Sequence, residues 1–244
     1  TSQIIALTQD QVAVLSPMQI KAMTTTQIEN LESMDILALQ PATFAAITST
    51  VFSKLNSAAF SVMLPEQIKR ITTNQIVSMS KDQLNQLGIE QVIELSGTQI
   101  ASLSADQVAA LTTTAIHNLN PRVVGKLNIT KLNESGISAI GNDSILYLST
   151  NQISKLQSSQ IAALTSSQIA GMTTKIFSAL DKNIISKLNT SAVQSITTAQ
   201  LNALVASSQL EALTQAQVNK LDPEVIDWLN NTKSYITLTS KTGT

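Results

Sequence analysis

The sequence predicts an all-α solenoid, a superhelix of short capped helices with one helix per eight-residue repeat. Three observations carry this expectation. Two apolar residues three apart recur every eight residues, a hydroxyl followed three residues later by Gln precedes many of these pairs, and all five prolines fall at one phase of the eight.

The apolar pairs come first. The first anchor of each octad runs Ile4, Val12, Ile20, Ile28, Ile36, Phe44, Phe52, Phe60, Ile68 and onward at strict spacing to Val124. The second anchor lies three residues later, from Leu7 and Leu15 to Leu127. Residues three apart share a helix face, whereas in a strand they point to opposite faces. One continuous helix also fails, because eight residues at 3.6 per turn rotate the stripe by about 80° per octad. The helix must therefore stop and restart every eight residues.

The restart has its own chemistry. Thr8/Gln11, Ser16/Gln19, Thr24/Gln27, Thr72/Gln75, Ser80/Gln83, Ser104/Gln107, Thr165/Gln168, Thr197/Gln200 and Thr214/Gln217 have capping-box spacing. Pro17, Pro41, Pro65, Pro121 and Pro223 directly follow the cap, where a missing N–H costs nothing. Asp10, Glu66, Asp82, Glu90, Asp106 and Glu224 follow at the positive end of the helix dipole, and Lys54, Arg70, Lys126, Lys155, Lys187 and Lys220 lie at the negative end. Helices this short are unstable alone, so stacking between octads must supply the remaining stability. Where Gln is missing, its substitute is often apolar, as at Val51, Ala59, Val123, Ile176, Ile184 and Val225. This points to a half-buried Gln that bonds across octads as well as to its own cap. Pro17, Pro41 and Pro65 are spaced three octads apart, which hints at three octads per superhelical turn, although Pro121 breaks that series.

Octads are expected over 1–127, with a phase slip over 128–136 in which Leu132 is an extra anchor. The array continues over 137–230 in the same domain, with a one-residue insertion near Val205–Ser207. Residues 231–244 form an extended tail or the start of a following segment, since Ser234–Thr239 alternates like a strand. The start, Thr1-Ser2-Gln3, has no Met, no basic region and no apolar stretch, and reads as a processed or excised fragment.

Composition narrows the functional classes. The 244 residues are 13 % charged with net charge −1, so there is no electrostatic footprint for nucleic acid. No cysteine is present, which excludes disulfides, thiolate metal sites and a cysteine nucleophile. No apolar run is long enough to span a membrane. His117 is the single histidine and falls on the expected solvent side. No Gly-rich phosphate loop or Ser-His-Asp set can be assembled, so the expectation is a non-enzyme with no cofactor and no metal.

Sites must therefore be sought where the repeat departs from itself. Phe44, Phe52 and Phe60 enlarge the first anchor, most simply as core. Gly136 and Gly141 lie in or beside the slip, and Tyr235 lies in the tail. These six are the candidate interaction features. Trp228, near the last octad, is expected to cover the solenoid end. The pairs Thr25/Thr26, Thr113/Thr114, Ser158/Ser159 and Ser166/Ser167 are expected to align into hydroxyl rows.

The motif Leu-Thr-x-x-Gln-Ile-x-Ala, seen at Leu164–Ala170 after Ala163, resembles the octad arrays of very large bacterial secreted or surface adhesin-like proteins. The resemblance covers roughly residues 1–230 and weakens over 40–64, where Gln is lost and Phe gained. It implies an extracellular structural module, a stalk, spacer or assembly unit, with adhesive character and no catalytic residues. Partners would be a protein or glycan at a cell surface, or self-association. The alternative is a protein- or glycan-binding solenoid, and a regular Thr/Ser face also admits ice binding as a minor reading.

Overall fold

The computed structural model describes residues 6–231. Among them are 26 short α-helices, two 3-10 turns and no strand. Most helices are four to six residues long, and each occupies one octad, as in Pro17–Ala22, Thr73–Ser78 and Ser166–Gly171. The expected extended tail beyond Asn231, including Tyr235, lies outside the described residues.

Capping explains where each helix begins. In all nine predicted boxes the hydroxyl accepts from the Gln backbone N–H, and the Gln Oε1 accepts from the cap N–H. The cap residues are extended, as at Ser104 with φ −66° and ψ 161°, so the chain turns a corner before each helix. Every proline stands at the first helical position. The second anchor ends the helix by leaving helical ψ, as at Leu111 with ψ 133°.

The chain divides into two compact units, Thr1–Lys131 and Leu132–Thr244. In both, each helix packs on the one three octads away. Pro17–Ala22 meets Pro41–Ala45, which meets Pro65–Arg70; Asn142–Ile145 meets Ser166–Gly171, which meets Thr190–Val193. Three octads thus make one coil, as the Pro17, Pro41 and Pro65 spacing hinted. Both anchors point into the coil and are buried along the array, as with Ile76 and Met79 or Ile153 and Leu156. Each such aliphatic side chain contributes about 1.5–3 kcal/mol on burial.

At two irregularities the structure adds to the sequence reading. At the slip, Leu132 is not a lone extra anchor. Ile129 is buried beside it in sequence, three residues earlier, and the pair reproduces the anchor spacing on a single 3-10 turn, Ile129–Lys131. That turn packs on Ala105–Ala110, the helix three octads before it. The slip is therefore a shortened octad that keeps its place in the coil. The insertion near Val205–Ser207 lengthens one helix to Thr198–Ala206, which then turns through Ser208 at φ 56°.

Candidate functional site

The repeated chemical feature of both units is a corner built around Gln. Its Oε1 closes the local cap, while its Nε2 reaches the preceding coil and donates to two backbone carbonyls there. Gln99 Nε2 lies 2.8 Å from both Ile68 O and Ile71 O, at sequence separations of 31 and 28, with Oε1 2.7 Å from Ser96 N. Gln67, Gln91, Gln107, Gln168 and Gln200 repeat this geometry. The acceptors are anchor carbonyls at the C-terminal end of a helix: the first anchor's carbonyl also accepts from the second anchor's N–H, as Ile68 O does from Ile71 N at 3.1 Å, while the second anchor's carbonyl lies past the helical ladder. One side chain therefore satisfies a helix start and a helix end in adjacent coils. These glutamines are fully buried, further than the half-burial expected, and Gln67 and Gln168 are 0 % exposed. At Gln217 the separations become 29 and 32, registering the one-residue insertion.

Where Gln is absent the corner adapts. Thr43 Oγ1 donates to Leu15 O at 2.9 Å, again across a separation of 28. Asp35 keeps only the cap half, accepting from Glu32 N, and lines an open hollow of about 470 Å³ with Asp10 and Glu32. Ala115 leaves a cleft of about 190 Å³. In the first octads Gln11 and Gln19 close their caps but are exposed, and their Nε2 atoms have no acceptor among the described residues. Val14 and Met18, between the two in sequence, are 80 % and 83 % exposed.

The candidate interaction residues fall elsewhere. Phe44, Phe52 and Phe60 are each 0 % exposed and belong to the core, so their reading as interaction features is corrected. They occupy the three octads of one coil, and their rings meet edge to face at 5.6 and 5.4 Å. The same coil carries Thr43, Val51 and Ala59 at the Gln position, so larger anchors coincide with smaller corners. Gly136 occupies a buried Gln position, its N–H donating to Asn133 Oδ1 at 2.8 Å, which also removes it from the surface. Gly141 is a half-buried helix cap. His117 is exposed, and Trp228 is half-buried in Pro223–Asn231.

The hydroxyl rows also change. Within the first unit, the three-octad coil puts Thr26 in a column with Thr50, Asn74 and Thr98, and not with Thr114. Charge is sparse along the surface. Lys69 lies 2.8 Å from Glu66 and 3.3 Å from Glu94 of the next coil, and these hydrogen bonds raise its pKa. Glu134 is lowered by its own backbone N–H and by the Ser159 hydroxyl of the next coil. Among the described residues no cluster of His, Asp and Glu could hold a metal, and no helix is long and apolar enough to cross a membrane.

A sequence model of the ALTTAQ repeat matches residues 137–174. Its letters spell a second anchor, a cap Thr and the corner Gln, as Ala212–Gln217 does here. This is a repeat protein. The matched segment covers octads whose Gln168 makes the corner bonds just described. The chain matches no curated protein.

Proposed function

We propose that this repeat protein is a structural module of a bacterial secreted or surface protein, a stalk, spacer or assembly unit whose reach is set by octad number. The observation that carries the reading is the corner ladder. Within each unit a corner glutamine joins its coil to the one before it, as Gln99, Gln107, Gln168 and Gln200 do, so such a coil depends on its neighbour and not on distant sequence. An array of this kind lengthens by adding octads without redesign. The octad resemblance supplies the bacterial surface setting.

Single-molecule stretching tests this. Coil-by-coil yielding releases three octads per event, about 80 Å of contour length. Increments near that value or its multiples support the reading. A single all-or-none rupture, or collapse at negligible force, contradicts it.

The column Thr26–Thr50–Asn74–Thr98 favours a second reading, an adhesive face that meets a protein or glycan through regularly spaced polar groups. Binding to a glycan array that is lost on Thr50→Lys with Thr98→Lys supports it; unchanged binding in the double variant refutes it.

A further inference from the structure

We infer that the corner at Ala115 is a binding site for a primary carboxamide, specifically the glutamine side chain of a partner polypeptide. The cleft there measures about 190 Å³ and is lined by Leu87, Gly88, Ile89, Thr112, Ala115 and Asn118, among others. Its place in the array identifies what it fits. The same column carries Gln67 and Gln91 at the corresponding corners, six and three octads earlier. Each of those amides accepts from the local cap N–H and donates to an anchor carbonyl of the preceding coil: Leu64 N and Leu39 O for Gln67, Gly88 N and Met63 O for Gln91. At the third corner the side chain stops at Cβ.

By the register of the column a glutamine would meet three groups, Thr112 N–H, Leu87 C=O and Leu84 C=O. Thr112 N–H and Leu87 C=O have no hydrogen-bond partner among the described residues, and Leu84 C=O accepts from Leu87 N at 3.3 Å. One donor and one acceptor, arranged as at the corners that hold an amide, match a carboxamide and mismatch a carboxylate. A carboxylate would set a negative oxygen against the Leu87 carbonyl. The floor suits the glutamine methylenes, since Leu87 and Val92 are buried and apolar. Ile89 in the lining and Ile93, four residues on, are 50 % and 39 % exposed, an apolar ledge for the residues flanking an inserted glutamine. This inference does not depend on the structural role proposed above, because a spacer could carry the site or lack it.

The test uses the full chain, isotope-labelled, titrated with N-acetyl-glutamine N-methylamide and separately with the matching capped glutamate. Capped glutamine is expected to shift the amide resonances of Gly88 and Thr112–Ala115 saturably, with a dissociation constant on the order of 1–10 mM. Capped glutamate is expected to bind about tenfold more weakly or not at all. Ala115→Gln supplies the amide in cis and should abolish the shifts without lowering Tm; Ala115→Leu fills the space without an amide and should abolish them too. No saturable shift, equal binding of capped glutamate, or binding that survives in a folded Ala115→Gln chain overturns the proposal. The comparison of the two ligands on the unaltered chain decides the matter even if a variant folds poorly.

Discussion

Gln99 holds three backbone groups at once: Ser96 N–H, Ile68 C=O and Ile71 C=O. Truncation in Gln99→Ala leaves all three without that partner in a buried corner. We expect a loss of about 2–4 kcal/mol, read as a lowered urea midpoint. Gln99→Glu keeps the shape but places a carboxylate against two carbonyls. The folded state then favours the protonated acid, so the folded pKa exceeds the unfolded value of about 4.3. The variant should approach the parent's stability below that pH and lose stability as pH rises above it. A pH series of urea midpoints that runs flat contradicts the corner geometry. At this scale the sequence was informative about identity and weak about reach. The cap half of the Gln role follows from Thr-x-x-Gln spacing. The other half depends on an acceptor in the preceding coil, at a separation set by the number of octads per coil. The apolar substitutes at Val51 and Ala59 signalled burial without naming the partner.

At the scale of the element, proline tolerance separates helix starts from helix interiors. Thr73 stands at the first position of Thr73–Ser78, after an extended cap with φ −75° and ψ 159°. Thr73→Pro removes no helical hydrogen bond and restricts the unfolded chain, so it should raise stability by up to about 1 kcal/mol. Val77→Pro, in the same helix, removes an interior N–H and should cost about 3 kcal/mol or more. Thermal melts of the two variants check the register directly. Helix starts were legible because caps, prolines and end charges all mark one phase. The shortened octad was not, because Ile129 and Leu132 keep their spacing while the surrounding cap and helix are lost. The phenylalanine coil was half legible: the large anchors stand out in the sequence, and their matching small corners acquire meaning only when the octads stack.

At the scale of the molecule, the coil is the unit that can be removed. Deleting positions 64–87 takes out three whole octads and joins Met63 to Gly88. Gln91 then stands at separations of 28 from Leu39 and 31 from Ile36, inheriting the carbonyls that Gln67 holds now. The shortened chain should fold with an m-value lower by about one-tenth, in proportion to the surface lost. Deleting 64–75 takes out one and a half octads and puts anchors where caps belong; that chain should lose the helical signal of the coils at the junction, a larger drop by circular dichroism than the three-octad deletion gives. The column assignments lay beyond the sequence for the same reason as the Gln partners. Thr26 pairs with Thr50 and not with Thr114 because a coil holds three octads, a number that no single octad encodes.

The corner bonds give the array a direction. Every corner glutamine that crosses coils donates to a carbonyl earlier in the chain. During synthesis a coil with corner glutamines therefore arrives carrying donors for acceptors already in place. Assembly can advance like masonry, one course laid on another, with the growing edge waiting on nothing still to be made. Run in reverse, the last-made course is the first that can be lifted without disturbing those beneath it.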